Sequence, residues 1–118
     1  MPNSRWDVPV FSWRTWVGHW EDDTGYWIVI DDLGHPLDIW RSGGPPTRMQ
    51  SVSLSDDSRV LKFEEDGRWL HTLTLKNKYE ATHEWFDLGK QAVWRVEPMN
   101  KLRKATEEEK QITQQAAP

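Results

Sequence analysis

An all-β fold, an eight-stranded antiparallel up-and-down barrel, is what this sequence predicts, on three observations. Turn signals recur at short intervals: Asp22-Asp23-Thr24-Gly25, Leu33-Gly34, Gly43-Gly44-Pro45-Pro46, Asp56-Asp57-Ser58, Asp66-Gly67, Asn77-Lys78 and Leu88-Gly89. The runs between them are rich in Trp, Ile, Val, Leu and Thr, side chains suited to a pleated, half-buried surface. Loops this short join neighbouring strands antiparallel. Strands are expected at about 14–21, 25–32, 36–42, 48–55, 59–65, 68–76, 79–86 and 90–97. Closure at this strand number leaves an interior filled by side chains or open to one small ligand.

The 118 residues suit one domain with a modest core. Residues 1–97 form the expected barrel domain, with an N-terminal segment capping one end through Trp6 and Phe11. Residues 98–118 are polar, with few apolar anchors, and read as a tail that is a frayed helix or disordered. A net charge of -4 argues against a nucleic-acid platform, which needs a basic face. No cysteine is present, which removes disulfides and thiolate metal sites and fits a reducing, cytoplasmic setting. The polar N-terminus lacks the apolar run of a signal peptide, and no stretch approaches the ~18–20 apolar residues of a membrane helix. No membrane partner, cofactor or metal is expected.

Strand parity assigns the faces. A three-residue Lys76-Asn77-Lys78 loop, with Asn77 in the left-handed region, pairs Trp69 with Trp85, His71 with His83, Leu73 with Ala81 and Leu75 with Tyr79. A Glu65-Asp66-Gly67 loop sets Phe63 beside Trp69 and Leu61 beside His71, and a Leu88-Gly89 loop sets Ala92 beside Trp85 and Trp94 beside His83. A Leu33-Gly34 turn pairs Ile30 with Leu37, Ile28 with Ile39 and Tyr26 with Arg41, all facing the interior with Trp16, Gly18 and Trp20. Trp27 and Trp40 then share the outer face. An exposed aromatic pair is costly in a small monomer, so a homo-oligomer contact is expected there, unless a terminal segment covers it.

The segment Trp16-Val17-Gly18-His19-Trp20 resembles the Gly-x-Trp signature in the first strand of lipocalins and related calycin barrels. The resemblance rests on Gly18 and Trp20 in motif and on residues 12–97 in architecture. It implies that Gly18 lets a bent strand pack closely, that Trp20 plugs one barrel end, and that the cup holds one apolar small molecule. The late arginine that packs on this Trp in the family has Arg95 as its counterpart, which parity places on the outer face.

Nine tryptophans are the compositional outlier. Their bland role is to fill a core and their sharper one to line a pocket, and both hold if different rings take different faces. The ligand wall expected from parity comprises Trp16, Trp20, Tyr26, Arg41 and Phe63, continued by Trp69, Tyr79, Trp85 and Trp94. His71 and His83, facing each other inside, are the candidate catalytic groups; their bland role is structural, each satisfied by a hydroxyl, carbonyl or water. A metal there needs a third ligand, and no inward carboxylate is evident, the acidic residues reading as solvated turn caps. There is no phosphate loop, calcium loop or Gly-x-Ser-x-Gly elbow. The leading expectation is a barrel that binds a small, mainly apolar or aromatic molecule. Its alternatives are an isomerase, cyclase or lyase using His71 or His83 as acid or base, and a structural or interaction protein using the outer Trp face, with Phe86 beside Trp27 and Trp40.

Overall fold

The computed structural model describes residues 11–32, 35–42 and 46–102. A single 3₁₀ turn, Trp13–Thr15, precedes nine strands: β1 Gly18–Asp22, β2 Gly25–Asp32, β3 His35–Ser42, β4 Thr47–Arg48, β5 Gln50–Leu54, β6 Val60–Glu65, β7 Trp69–Leu75, β8 Glu80–Asp87 and β9 Ala92–Leu102. All pair antiparallel in the order β4-β3-β2-β1-β9-β8-β7-β6-β5, an up-and-down, nearly closed barrel. Among the described residues no helix is long and apolar enough to cross a membrane. The expected cap by Trp6, the Leu33-Gly34 and Gly43-Gly44-Pro45 turns and the tail beyond 102 lie outside the described residues.

The ninth strand comes from a break rather than an extra hairpin. The expected strand at 48–55 is interrupted at Met49, with β4 pairing back to β3 and β5 pairing forward to β6. The two ends of the sheet are therefore consecutive in the chain. Met49 sits at the seam, buried, its N–H donating to Ile39 O at 2.8 Å. Ser51, at φ 54, turns the chain just beyond it.

The last strand runs through Pro98 to Leu102, past the boundary expected at 97. Its final residues pair with β1, Trp20 opposite Lys101 and Asp22 opposite Met99, so this stretch is what joins the first strand to the last. Polarity hid it: only alternate residues face inward, and Met99 is the one apolar anchor there.

One end of the barrel is apolar. Trp16 and Trp20 are fully buried, their rings 5.4 Å apart. The Trp16 indole donates to Ser58 O at 2.7 Å and the Trp20 indole to Trp16 O at 2.8 Å. Leu61, Leu73, Leu75, Ala81 and Met99 pack in the same cluster, with Phe11 and Trp13 against it. Gly18 has φ +143, a backbone conformation that favours glycine, and the end of the Lys101 side chain lies over it, 2.7 Å from where a Cβ would stand. The Lys101 ammonium lies 5.8 Å from the Trp20 ring and donates to Thr15 O at 2.9 Å. The base over the first-strand Trp is thus Lys101. Arg95 faces inward, correcting the expected outer placement, and pairs with Glu97 and Asp23.

Register departs from expectation in two ways. In β6–β7 and β7–β8 the slip is two residues, which preserves every face. His71 lies opposite Trp85 and Phe63, Leu73 opposite His83 and Leu61, Leu75 opposite Ala81, and Trp69 opposite Asp87 and Glu65. The loop after β7 is longer than expected: Lys76 N–H donates to Glu80 O, and Asn77 Oδ1 accepts from Tyr79 N–H. Asn77 acts through its side chain instead of a left-handed backbone. Tyr79 lies in that loop, 42% exposed, and not on the inner wall.

In β2–β3 the slip is one residue, which inverts the face of β2 and leaves that of β3 as expected. Trp27 pairs with Arg41, Ile28 with Trp40 and Val29 with Ile39. Trp27 is therefore inside and fully buried, while Tyr26 is outside and 41% exposed, the reverse of the expected arrangement. The outer Trp27–Trp40 pair does not form, and the oligomer contact inferred from it loses its basis. Half-buried Trp40 instead packs on buried Ile28 and Ile30 and donates to Asp38 Oδ2 at 3.0 Å. β8–β9 carries a bulge: Trp85 opposes Arg95 but Phe86 opposes Val93, leaving Trp94 as the extra residue. Ala92 faces Asp87 across the longer connection before β9, and beyond the bulge His83 faces Glu97.

Candidate functional site

The other end of the barrel is polar within and aromatic around. A chain of hydrogen-bonded side chains crosses it. Asp22 Oδ2 lies 2.7 Å from His83 Nδ1. His83 Nε2 lies 2.8 Å from His71 Nδ1, and His71 Nε2 lies 3.0 Å from Glu65 Oε1. Arg41 Nη1 closes the line, donating to Glu65 Oε2 at 2.6 Å. Five strands, β1, β8, β7, β6 and β3, each contribute one residue. The side chains of both histidines and of Asp22 are fully buried, and Arg41 keeps 33% of its side chain exposed.

His71 and His83 are thus neighbours, as parity anticipated, but diagonal on the sheet and directly bonded. The inward carboxylates that the sequence reading found wanting are present. Asp22 and Glu65 stand at strand ends, where acids read as turn caps, and Glu97 lies within β9 beyond the bulge. Parity carried the signal: Glu65 continues Leu61 and Phe63, and Asp22 continues Gly18 and Trp20.

Rings wall the chain. Trp27 lies 5.1 Å from His71, 5.4 Å from His83 and 5.5 Å from Phe63. Phe63 stacks on His71 at 4.7 Å, and Trp85 stacks on His83 at 5.1 Å. Trp85 leads outward to Trp69 and Trp94, at 5.5 and 5.3 Å, and these two lie 5.2 Å apart. Trp94 is 55% exposed, brought onto the inner-face rings by the bulge. The Arg41 guanidinium lies 5.0 Å from Trp27 and 5.3 Å from Trp85. Of the expected ligand wall, Arg41, Phe63, Trp69, Trp85 and Trp94 meet here with Trp27. Trp16 and Trp20 belong to the apolar plug, and Tyr26 and Tyr79 lie outside the interior.

One polar atom in this wall stands apart. Trp16, Trp20, Trp27 and Trp40 all donate their indole N–H groups, Trp27 to Asp22 Oδ2 at 2.8 Å. Among the described residues Trp85 Nε1 is buried and makes no hydrogen bond. A buried indole N–H usually finds an acceptor, and leaving one unpaired costs about 1–3 kcal/mol.

The electrostatics follow from donors and burial. Burial opposes the charge on Asp22, yet bonds from His83 and Thr24 hold its carboxyl down at about 2. For Glu65, burial is likewise outweighed by His71 and Arg41, and its pKa is lowered. Burial pushes His71 down, against the pull of Glu65. Glu97 is raised by burial and by its neighbour Asp22. Asp22, His83 and Glu97 place ligand atoms within 4.8 Å of one another, a set of metal-binding size. These carboxylates already have donors: Thr24 Oγ1 at 2.6 Å and Trp27 on Asp22, and Arg95 Nε at 2.7 Å from Glu97 Oε2, an ion pair lacking hydrogen-bond geometry.

The lowered groups set an acid limit. Each contributes stability above its unfolded pKa, lost as pH falls through the folded one. The decline should begin below the ordinary histidine range through His71 and steepen between pH 3.8 and about 2 through Asp22. Asp22 alone accounts for about 2 kcal/mol. Urea midpoints against pH check this: D22N should lose the steep low-pH limb, and an unchanged limb would refute the assignment.

The fold and site define a nearly closed antiparallel β-barrel with a polar, aromatic-walled end. No family model, curated protein or solved structure matches the chain.

Proposed function

We propose that the barrel binds a small molecule with a flat aromatic or apolar body and an acceptor group, at the mouth formed by Trp69, Trp85, Trp94 and Arg41. The unpartnered indole N–H of Trp85 carries this reading. An acceptor on the ligand would satisfy it, and Arg41, one-third exposed and within 5.0 and 5.3 Å of two indole rings, offers further donors to an anion. Trp94 supplies an exposed aromatic face beside them, positioned by a bulge, a device that re-aims side chains at binding sites. Apolar walls with few convergent polar groups are typical of ligand sites. The calycin-like resemblance is supported by closure through β9, by the close approach at Gly18 and by Lys101 over Trp20.

Tryptophan fluorescence titrated with an anilinonaphthalene sulfonate dye, then with a panel of aromatic carboxylates, tests the reading. Saturable quenching is expected, weakened about tenfold or more in R41Q, as for loss of a charged hydrogen bond, and also weakened in W94A. Absence of saturable binding across the panel, or binding indifferent to both changes, would reject it.

The Asp22–His83–His71–Glu65 chain favours a second reading, acid–base catalysis at the same mouth. Glu65, beside Arg41, would be the group nearest a substrate, with the imidazoles behind it. The same panel followed by mass spectrometry decides this: turnover lost in H71Q and H83Q supports it, and turnover retained in both rejects it.

A further inference from the structure

The histidine pair contains a proton count that its surroundings settle. Three hydrogen bonds link four groups in line: Asp22 to His83, His83 to His71, and His71 to Glu65. Each needs one proton. Two neutral imidazoles carry two N–H groups between them. If these serve the two carboxylates, the central nitrogens meet at 2.8 Å with lone pairs opposed. That arrangement is repulsive, so a third proton must lie in the line. Asp22 is held at about 2 and Glu65 is lowered, so neither carboxyl supplies it at neutral pH.

We infer that the barrel interior is a proton-binding site: His71 and His83 together hold one excess proton, shared across their mutual hydrogen bond and clamped between the Asp22 and Glu65 carboxylates. In one form His83 is imidazolium and donates to both Asp22 and His71. In the other the central proton has moved to His71 Nδ1, making His71 the cation. No other bond changes and no co-reactant is needed.

The surrounding charges favour the same proton. The ionisable groups facing the pair are Asp22 on β1, Arg41 on β3, Glu65 on β6, and Arg95 and Glu97 on β9. Asp87 on β8 lies 3.9 Å from Arg68. Asp22, Glu65 and Glu97 are set against Arg41 and Arg95, and Arg95 is shared with exposed Asp23, so the pair lies in a net-negative surrounding that an excess proton offsets. A second proton would make the two imidazoles like charges with ring centroids 5.0 Å apart. The downward push on His71 from burial, His83 and Arg41 acts against that second proton.

Long-range proton–nitrogen correlation spectra of the whole protein labelled with ¹⁵N-histidine read the count, with the pair assigned through side-chain-to-backbone correlations. At pH 7, His83 Nδ1 and His71 Nε2 should appear as protonated nitrogens. His83 Nε2 and His71 Nδ1 should share one proton, with shifts between the protonated and bare values or one of each. The pattern should persist at pH 8, above the ordinary histidine range near ~6.5. Two neutral rings with one protonated nitrogen each at pH 7, or two full imidazolium rings, would overturn the inference. Conversion to two neutral rings at or below pH 7 would count against it equally. The readout needs no ligand and no folded variant, so it stands apart from the binding proposal.

Discussion

Replacing Asp22 with alanine should destabilise the barrel by about 3–5 kcal/mol, the cost of removing one partner from a buried charged pair. Asp22 is one short side chain with four donors on it: His83 Nδ1 at 2.7 Å, the Trp27 indole at 2.8 Å, and the Thr24 hydroxyl and backbone N–H at 2.6 and 2.9 Å. Alanine strands all of them in an interior where Asp22 itself has no exposure. A buried donor without an acceptor carries its full desolvation penalty, so the loss exceeds that of an ordinary hydrogen bond. Urea unfolding measures it. A cost below about 1 kcal/mol, the range of exposed ion pairs, would mean that Asp22 is solvated and the chain across the barrel does not exist as described.

Trp27→Ala should cost a similar amount, about 3–5 kcal/mol, as for other large-to-small changes in a core. This result separates the two possible faces of β2. An outward Trp27 would tolerate truncation to within about 0.5 kcal/mol, as most surface positions do. An inward one leaves a cavity touching Phe63, His71, His83 and Trp85, and removes a donor to Asp22. Trp94→Ala provides the contrast within the same aromatic group. Trp94 is 55% exposed, so its removal should leave stability little changed while weakening dye binding. Comparable stability losses in both variants would contradict the placement of Trp94 at the rim.

The histidine pair shows how far reading from the chain reaches. Parity along Trp69–Leu75 and Glu80–Asp87 put His71 and His83 on one face, and a two-residue slip in pairing left that unchanged. The same parity extended one step to Glu65 and Asp22 would have found their carboxylates. Their strand-end positions made them read as solvated caps, because sequence does not show that the barrel continues to cover them. Glu97 was hidden differently: the bulge at Trp94 shifts the phase of β9, and an added residue in one strand appears only in the pairing.

Local sequence patterns set the number and order of the hairpins, the antiparallel class, and the buried face of each strand with uninterrupted alternation. These follow from local turn chemistry and a two-residue period, both written in short windows. The tertiary structure alone decided the face of β2, the break at Met49 that closes the seam, the pairing of β9 with β1 and the line from Asp22 to Arg41. Each depends on partners far apart in the chain, where a shift of one residue reverses a face and only the closed barrel selects among the registers.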